Sequence, residues 1–153
     1  HRFYSAFAAR DWRALGVLYA DDARFSDPAF PDLSAAEARA MWRMLLSRAG
    51  EDFRVDYEVR EDAPDRAAVR WTAHYTFSQT GRRVVNVIDA TMDLRDGRIV
   101  RHVDRFDFAR WARQALGAPG LLLGWTGWMQ RQVQGKARAG LRAFIDRTAK
   151  DSV

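Results

Sequence analysis

The chain has 153 residues, 48% of them hydrophobic and 12% aromatic, enough to fill the core of one domain and too apolar for a disordered segment. It has no cysteine, which removes disulfides, thiolate metal sites and a cysteine nucleophile. The net charge of +5 raises nucleic acid as a partner, yet 23 of the 25 basic residues are arginines spread beside acidic neighbours, so no nucleic-acid partner is expected.

The chain opens on His1 rather than Met and is expected to be trimmed at this end. In residues 2 to 20, Phe3, Phe7, Leu15, Leu18 and Tyr19 fall near helical spacing around a polar break at 9 to 11, which predicts two short helices. The stretch ARFSDPAFPD then carries two prolines and reads as a short extended segment entering a loop. Ser34 followed by Glu37 fits a capping box, and Ala38, Met41, Trp42, Leu45 and Leu46 make the apolar stripe of a third helix ending at Gly50. Beyond it the period drops from about 3.6 to about 2, as pleated strands require. Phe53, Val55, Tyr57 and Val59 begin the pattern, and residues 69 to 77 repeat it. A TGR turn leads into VVNVIDATMDL, and Asp96-Gly97 turns into RIVRHVDRFDF. Three helices followed by four long antiparallel strands, with no βαβ alternation, predict an α+β domain over residues 1–116.

Residues 117–153 form a C-terminal extension, read as an amphipathic helix packed on the same domain. Leu121, Trp125, Trp128, Met129, Val133, Leu141, Phe144 and Ile145 mark its apolar stripe. A lid over the domain is the first expectation for it, and membrane-surface contact is not expected. The apolar run 121 to 128 is too short to cross a bilayer. The chain therefore reads as soluble and cytoplasmic.

Three strings, YADDARFSDPAF at 19 to 30, NVIDATMDLRDGRI at 86 to 99 and RHVDRFD at 101 to 107, give residues 2 to about 112 a family resemblance. In this order and spacing the chain resembles the nuclear transport factor 2-like superfamily, above all its SnoaL-like polyketide cyclases and ketosteroid isomerases. The resemblance implies a cone-shaped curved antiparallel sheet packed against three N-terminal helices, a cystatin-like roll, here with an added C-terminal helix. It implies an apolar small-molecule ligand, proton chemistry without metal or organic cofactor, and a homodimer. In the isomerase branch the general base falls on Asp27 and the oxyanion-binding acid on Asp89. The isomerases' oxyanion tyrosine falls on Phe3, with Tyr4 turned roughly 100° away around a helix. In the SnoaL-like branch the acid/base aspartate of an HxD string falls on Asp104, beside His102.

Strand alternation puts Val100, His102, Asp104 and Phe106 on one face and Arg101, Val103 and Arg105 on the other, so the imidazole and carboxyl are expected to face inward. Asp89, flanked by Val87, Ile88 and Ala90, is expected to line the pocket because an unpartnered buried carboxyl is costly. Tyr19, Trp42, Trp71, Tyr75 and Phe106 are the expected substrate-binding wall. Each candidate has a plainer alternative: Asp27 as a turn former before Pro28, His102 and Asp104 as a polar pair stiffening the interior, the aromatics as core. His74 and His102 sit in no HxH or HExxH string, so no metal site is expected. A pocket enzyme acting on an apolar carbonyl, epoxide or polyketide-type compound is the leading reading. A non-catalytic ligand-binding or dimerisation module is the other.

Overall fold

The computed structural model describes residues 1–150. Two short helices, α1 (Arg2–Ala8) and α2 (Trp12–Val17), precede strand β1 (Tyr19–Ser26) and the two-residue strand β2 (Leu33–Ser34). Helix α3 (Ala35–Arg48) leads to four strands, β3 (Arg54–Asp62), β4 (Arg66–Phe77), β5 (Arg82–Arg95) and β6 (Arg98–Arg105). Helices α4 (Phe108–Leu116), α5 (Ala118–Leu123) and α6 (Gly127–Lys150) close the chain. The six strands form one sheet in the order β2-β1-β6-β5-β4-β3.

Local chemistry explains most of these boundaries. Asp11 caps α2 by accepting from the Ala14 backbone N–H at 2.9 Å. Ser34 and Glu37 form a reciprocal capping box on α3, with bonds of 3.3 and 2.9 Å. Asp96 and Gly97 both adopt positive φ, 52° and 73°, and make the two-residue turn between β5 and β6. The strand expected to run on to Phe108 ends at Arg105, because the Asp107 side chain accepts from the Arg110 N–H at 2.9 Å and starts α4.

The sheet is antiparallel except where β1 runs parallel to β6, with a bulge between Tyr19 and Arg24. Its inner face carries Val69, Trp71 and Ala73 from β4, Ile88, Ala90 and Met92 from β5, and Ile99 from β6. Against it lie Phe3, Tyr4 and Phe7 of α1 and, spaced for one helical face, Ala38, Met41 and Trp42 of α3. A second apolar cluster joins Val84 to Phe108, Trp111, Ala112 and Ala115 of α4 and Met129 of α6.

The C-terminal stripe divides in two. Met129, Leu141 and Phe144 are buried, while Leu121, Trp125 and Trp128 stand exposed. No described helix is long and apolar enough to cross a membrane.

Candidate active site

His102 is the centre of the interior. It leaves the middle of β6 inward with 1% of its surface exposed, and Asp104, two residues on, follows it at 3%. The β1–β6 register sets Phe25 beside His102. Their rings meet edge-on at 5.1 Å, and Phe3 of α1 adds a second edge contact at 5.3 Å.

The hydrogens of this cluster follow from what each atom can donate. Trp42 Nε1 is a donor only, and it donates to Tyr19 Oη at 2.9 Å. Burial holds the Tyr19 phenol well above its ordinary pKa, opposed by the Trp42 hydrogen bond and reinforced by Asp104, so the hydroxyl stays neutral. Its own hydrogen then goes to His102 Nδ1, 2.7 Å away. That makes Nδ1 the acceptor and puts the ring hydrogen on Nε2, which donates to Asp104 Oδ1 at 3.0 Å. Trp42, Tyr19, His102 and Asp104 thus form a chain of donors pointing one way, each bond polarising the next.

Asp27 comes from the loop after β1. Its Oδ1 accepts from the backbone N–H groups of Ala29 and Phe30 at 2.7 and 2.6 Å, and among the described residues both bonds to this carboxyl fall on that oxygen. Helix α6 lies over the loop: Gln130 and Gln134 donate to the Pro28 carbonyl at 3.2 and 3.0 Å, and Arg138 to the Pro31 carbonyl at 2.8 Å. Although the residue is half-buried rather than enclosed, desolvation raises its carboxyl to about 7. Asp104 pushes the same way, while the Phe30 and Ala29 N–H groups and His102 oppose it. Burial holds the half-buried Tyr75 phenol above its ordinary value, opposed by the Trp111 hydrogen bond and reinforced by Asp27, and its Oη accepts from Trp111 Nε1 at 2.8 Å.

Among the described residues two buried donors have no partner. The Tyr4 hydroxyl and Trp71 Nε1 are buried without a hydrogen bond, their rings 6.1 Å apart. Burial first, then Asp104 and Tyr19, hold the Tyr4 phenol well above its ordinary value. In the sequence a helical step separates Tyr4 from Phe3 and argues against a place for it in the site. Yet α1 lies flat on the sheet and buries Phe3, Tyr4 and Phe7 together. The signal was present in those three residues, which span a wide arc of the helix rather than a narrow stripe.

Asp89 requires a correction. It faces outward, 57% exposed, and holds Arg70 through bonds of 2.7 and 2.9 Å that keep its carboxyl below the ordinary range. Its neighbours Ile88 and Ala90 point inward, so by parity Asp89 shares the outer face with Val85 and Val87. Trp42 and Trp71 are buried in the core, and Phe106 packs half-buried against both apolar clusters. Among the described residues no three His, Asp or Glu side chains converge as metal ligands. Two hollows of about 420 and 390 Å³ open elsewhere, one lined by Trp12, Arg13, Gly16, Val17, Arg39 and Arg98, the other between Ala20 and Arg98. Neither is bordered by Asp27, His102 or Asp104.

A family model described as a SnoaL-like domain matches residues 1–102. The chain belongs to the SnoaL-like family, within the nuclear transport factor 2-like superfamily. Solved structures share the fold of this SnoaL-like chain. IdmH, a candidate polyketide cyclase from Streptomyces antibioticus, is 25% identical over 76% of this chain and 94% of its own, with a TM-score of 0.61. A protein with a ketosteroid isomerase-like fold from Catenulispora acidiphila is 18% identical over 82% and 94%, with a TM-score of 0.64. An LEH-like epoxide hydrolase from M. tuberculosis is 16% identical over 79% and 87%, with a TM-score of 0.57. No curated protein matches the sequence.

Proposed function

We propose that this SnoaL-like protein is an acid/base enzyme acting on an apolar carbonyl, epoxide or polyketide-type compound. The observation that carries the reading is a carboxyl poised at about pH 7, Asp27, within electrostatic reach of a buried Asp104–His102 pair. Asp27 is the general base. For a ketone, its carboxylate takes the proton from the carbon beside the carbonyl, the C–H electron pair becomes the new C=C bond, and the C=O π pair moves onto the oxygen. A developing enolate oxygen needs neutral donors already in place, and the unpartnered Tyr4 hydroxyl and Trp71 N–H are of that kind. Asp27, now protonated, returns that proton at the far end of the rearranged system, which restores its carboxylate, and Asp104, held through His102 and Tyr19, is the second acid/base group beside it. Residues Tyr75 and Phe106 line the approach, and α6 is the lid over Asp27. The labels of the structural neighbours, cyclase and epoxide hydrolase, are of this chemical class.

A second reading has its own support. Phe3 and Phe25 each pack edge-on against both Trp42 and His102, at 5.1 to 5.7 Å, and the Trp42 and His102 rings stack at 6.2 Å. Rings so closely interleaved suit a non-catalytic binding or dimerisation module. A homodimer through the outer sheet face belongs to either reading, since Val85 and Val87 present an apolar strip there.

Deuterium exchange separates the two. Apolar ketones incubated with the protein in D2O are expected to take up deuterium beside the carbonyl, with a rate that rises through about pH 7 as Asp27 ionises. Asp27→Asn should abolish the exchange and Tyr4→Phe should slow it. Ketone binding, seen as quenched tryptophan fluorescence, with no exchange at any pH would leave the module.

A further inference from the structure

The end of α5 and the start of α6 carry an apolar tip that the fold leaves uncovered. Leu121, Leu122 and Leu123 are exposed, and Trp125 and Trp128 are 78% and 52% exposed. Five of the nine exposed large hydrophobic residues of the described chain fall in these eight positions, a concentration that scattered surface apolar residues do not produce. The packing explains the outward turn. Gly120 is the buried residue of α5, set so tightly on α4 that a Cβ there would strike the Ala112 carbonyl. Leaning on its glycine, α5 points its leucines away from the domain.

The charge of the segment that carries the tip is equally one-sided. Between Asp107 and Asp146 the sequence has no acidic residue and six basic ones. The other 19 basic and 20 acidic residues nearly cancel, so this segment holds the positive excess of the whole chain. Arg110, Arg113, Arg131, Lys136 and Arg142 are exposed, and Arg82, bonded to the Gln114 carbonyl at 2.7 Å, reaches the foot of α5. Arg138 is the exception, tied to the Pro31 carbonyl and Glu37.

We propose that this tip is a docking surface for an anionic phospholipid bilayer, on which the protein sits peripherally. Tryptophan and leucine enter the interface while the surrounding arginines meet phosphate headgroups, the division of labour of interfacial membrane segments. Eight residues are far too few to span but suffice to reach the boundary between headgroups and acyl chains. A second copy of the chain is a poorer occupant, because two tips brought together would oppose two basic rims.

The test is co-sedimentation of the full chain with vesicles of phosphatidylcholine alone or mixed with phosphatidylglycerol. Binding is expected only to the mixed vesicles and should weaken as salt is raised. Replacing Trp125 and Trp128 together by Ser should lower partitioning about tenfold or more while leaving the thermal melt unchanged, since both side chains are mainly exposed. Arg131→Gln should weaken binding without touching the apolar tip. No binding to the mixed vesicles at low salt overturns the proposal, and so does equal binding by the double Trp variant. A self-association by analytical ultracentrifugation that the double variant abolishes, with no vesicle binding, would assign the tip to a second copy and overturn it as well.

Discussion

The two walls of one ladder treat the same side chain in opposite ways. Asp104 of β6 lies across from Ala90 of β5, and Asp89, the next residue along β5, lies across from Arg105. One step of the strand reverses the side, so Asp104 faces a ring-lined interior and ends a hydrogen-bonded chain, while Asp89 faces water and holds an arginine. Inside, the bonded polar atoms from Trp42 to Asp104 depend on partners that water cannot replace. Outside, water is always a second choice. Removing a partner should therefore cost far more on the inner wall than on the outer.

His102→Ala is the most severe break of that contrast. It strips Tyr19 of its acceptor and Asp104 of its donor and leaves a void among Phe3, Phe25 and Trp42. The expected loss in urea unfolding is about 3–5 kcal/mol. A loss below about 1 kcal/mol would mean the chain of donors is no more than decoration on an apolar core.

Asp27→Asn probes the inner wall from its rim and works in the other direction. A carboxyl whose folded pKa is about 7 against an ordinary 3.8 binds its proton more tightly in the folded state. Its contribution to stability is thus best below about pH 4, declines as pH rises through that interval, and stays at its least favourable above pH 7. The amide keeps an Oδ1 acceptor for the Ala29 and Phe30 N–H groups and cannot ionise. At pH 8 the variant should be more stable by about 1–2 kcal/mol, a figure reduced for the partial exposure of the residue, or about 2–8 °C in Tm. The gain should vanish as pH falls to 4, and thermal melts across that range read it directly.

How much of this was written in the sequence depends on the range of the interaction. Ser34 with Glu37, and Asp96 with Gly97, act on their own neighbours, and the capped helix and tight turn they predict are present. The apolar residues around Asp89 suggest an inward carboxyl only when strand parity is ignored: Ile88 and Ala90 face in, Val87 and Asp89 out. Asp107 hid a helix start inside what read as a strand, since its bond to Arg110 N–H is a local competitor that alternation does not register. The burial of Asp27 lay furthest beyond reach. The loop that bears Asp27 is held at the Pro28 and Pro31 carbonyls by Gln130, Gln134 and Arg138, about a hundred residues downstream, and no local pattern carries that contact. The same holds for the Leu121–Trp128 tip, whose stripe looks fit to pack until Gly120 is found pressed onto α4.

Asp89→Asn is the small end of the comparison, and its smallness is what makes it informative. The Arg70–Asp89 pair is bidentate and short, the geometry in which a surface ion pair does most, yet both side chains are about half exposed. The amide can still accept one of the two Arg70 hydrogen bonds, and water takes the other, so the expected loss is under about 0.5 kcal/mol and shrinks further in high salt. Proton exchange on a ketone should be unaltered, because no atom of Asp89 reaches the inner wall. A loss of exchange with stability intact would mean that charge on the outer face is felt through the β5–β6 ladder at Asp104, and the separation of the two walls would no longer hold.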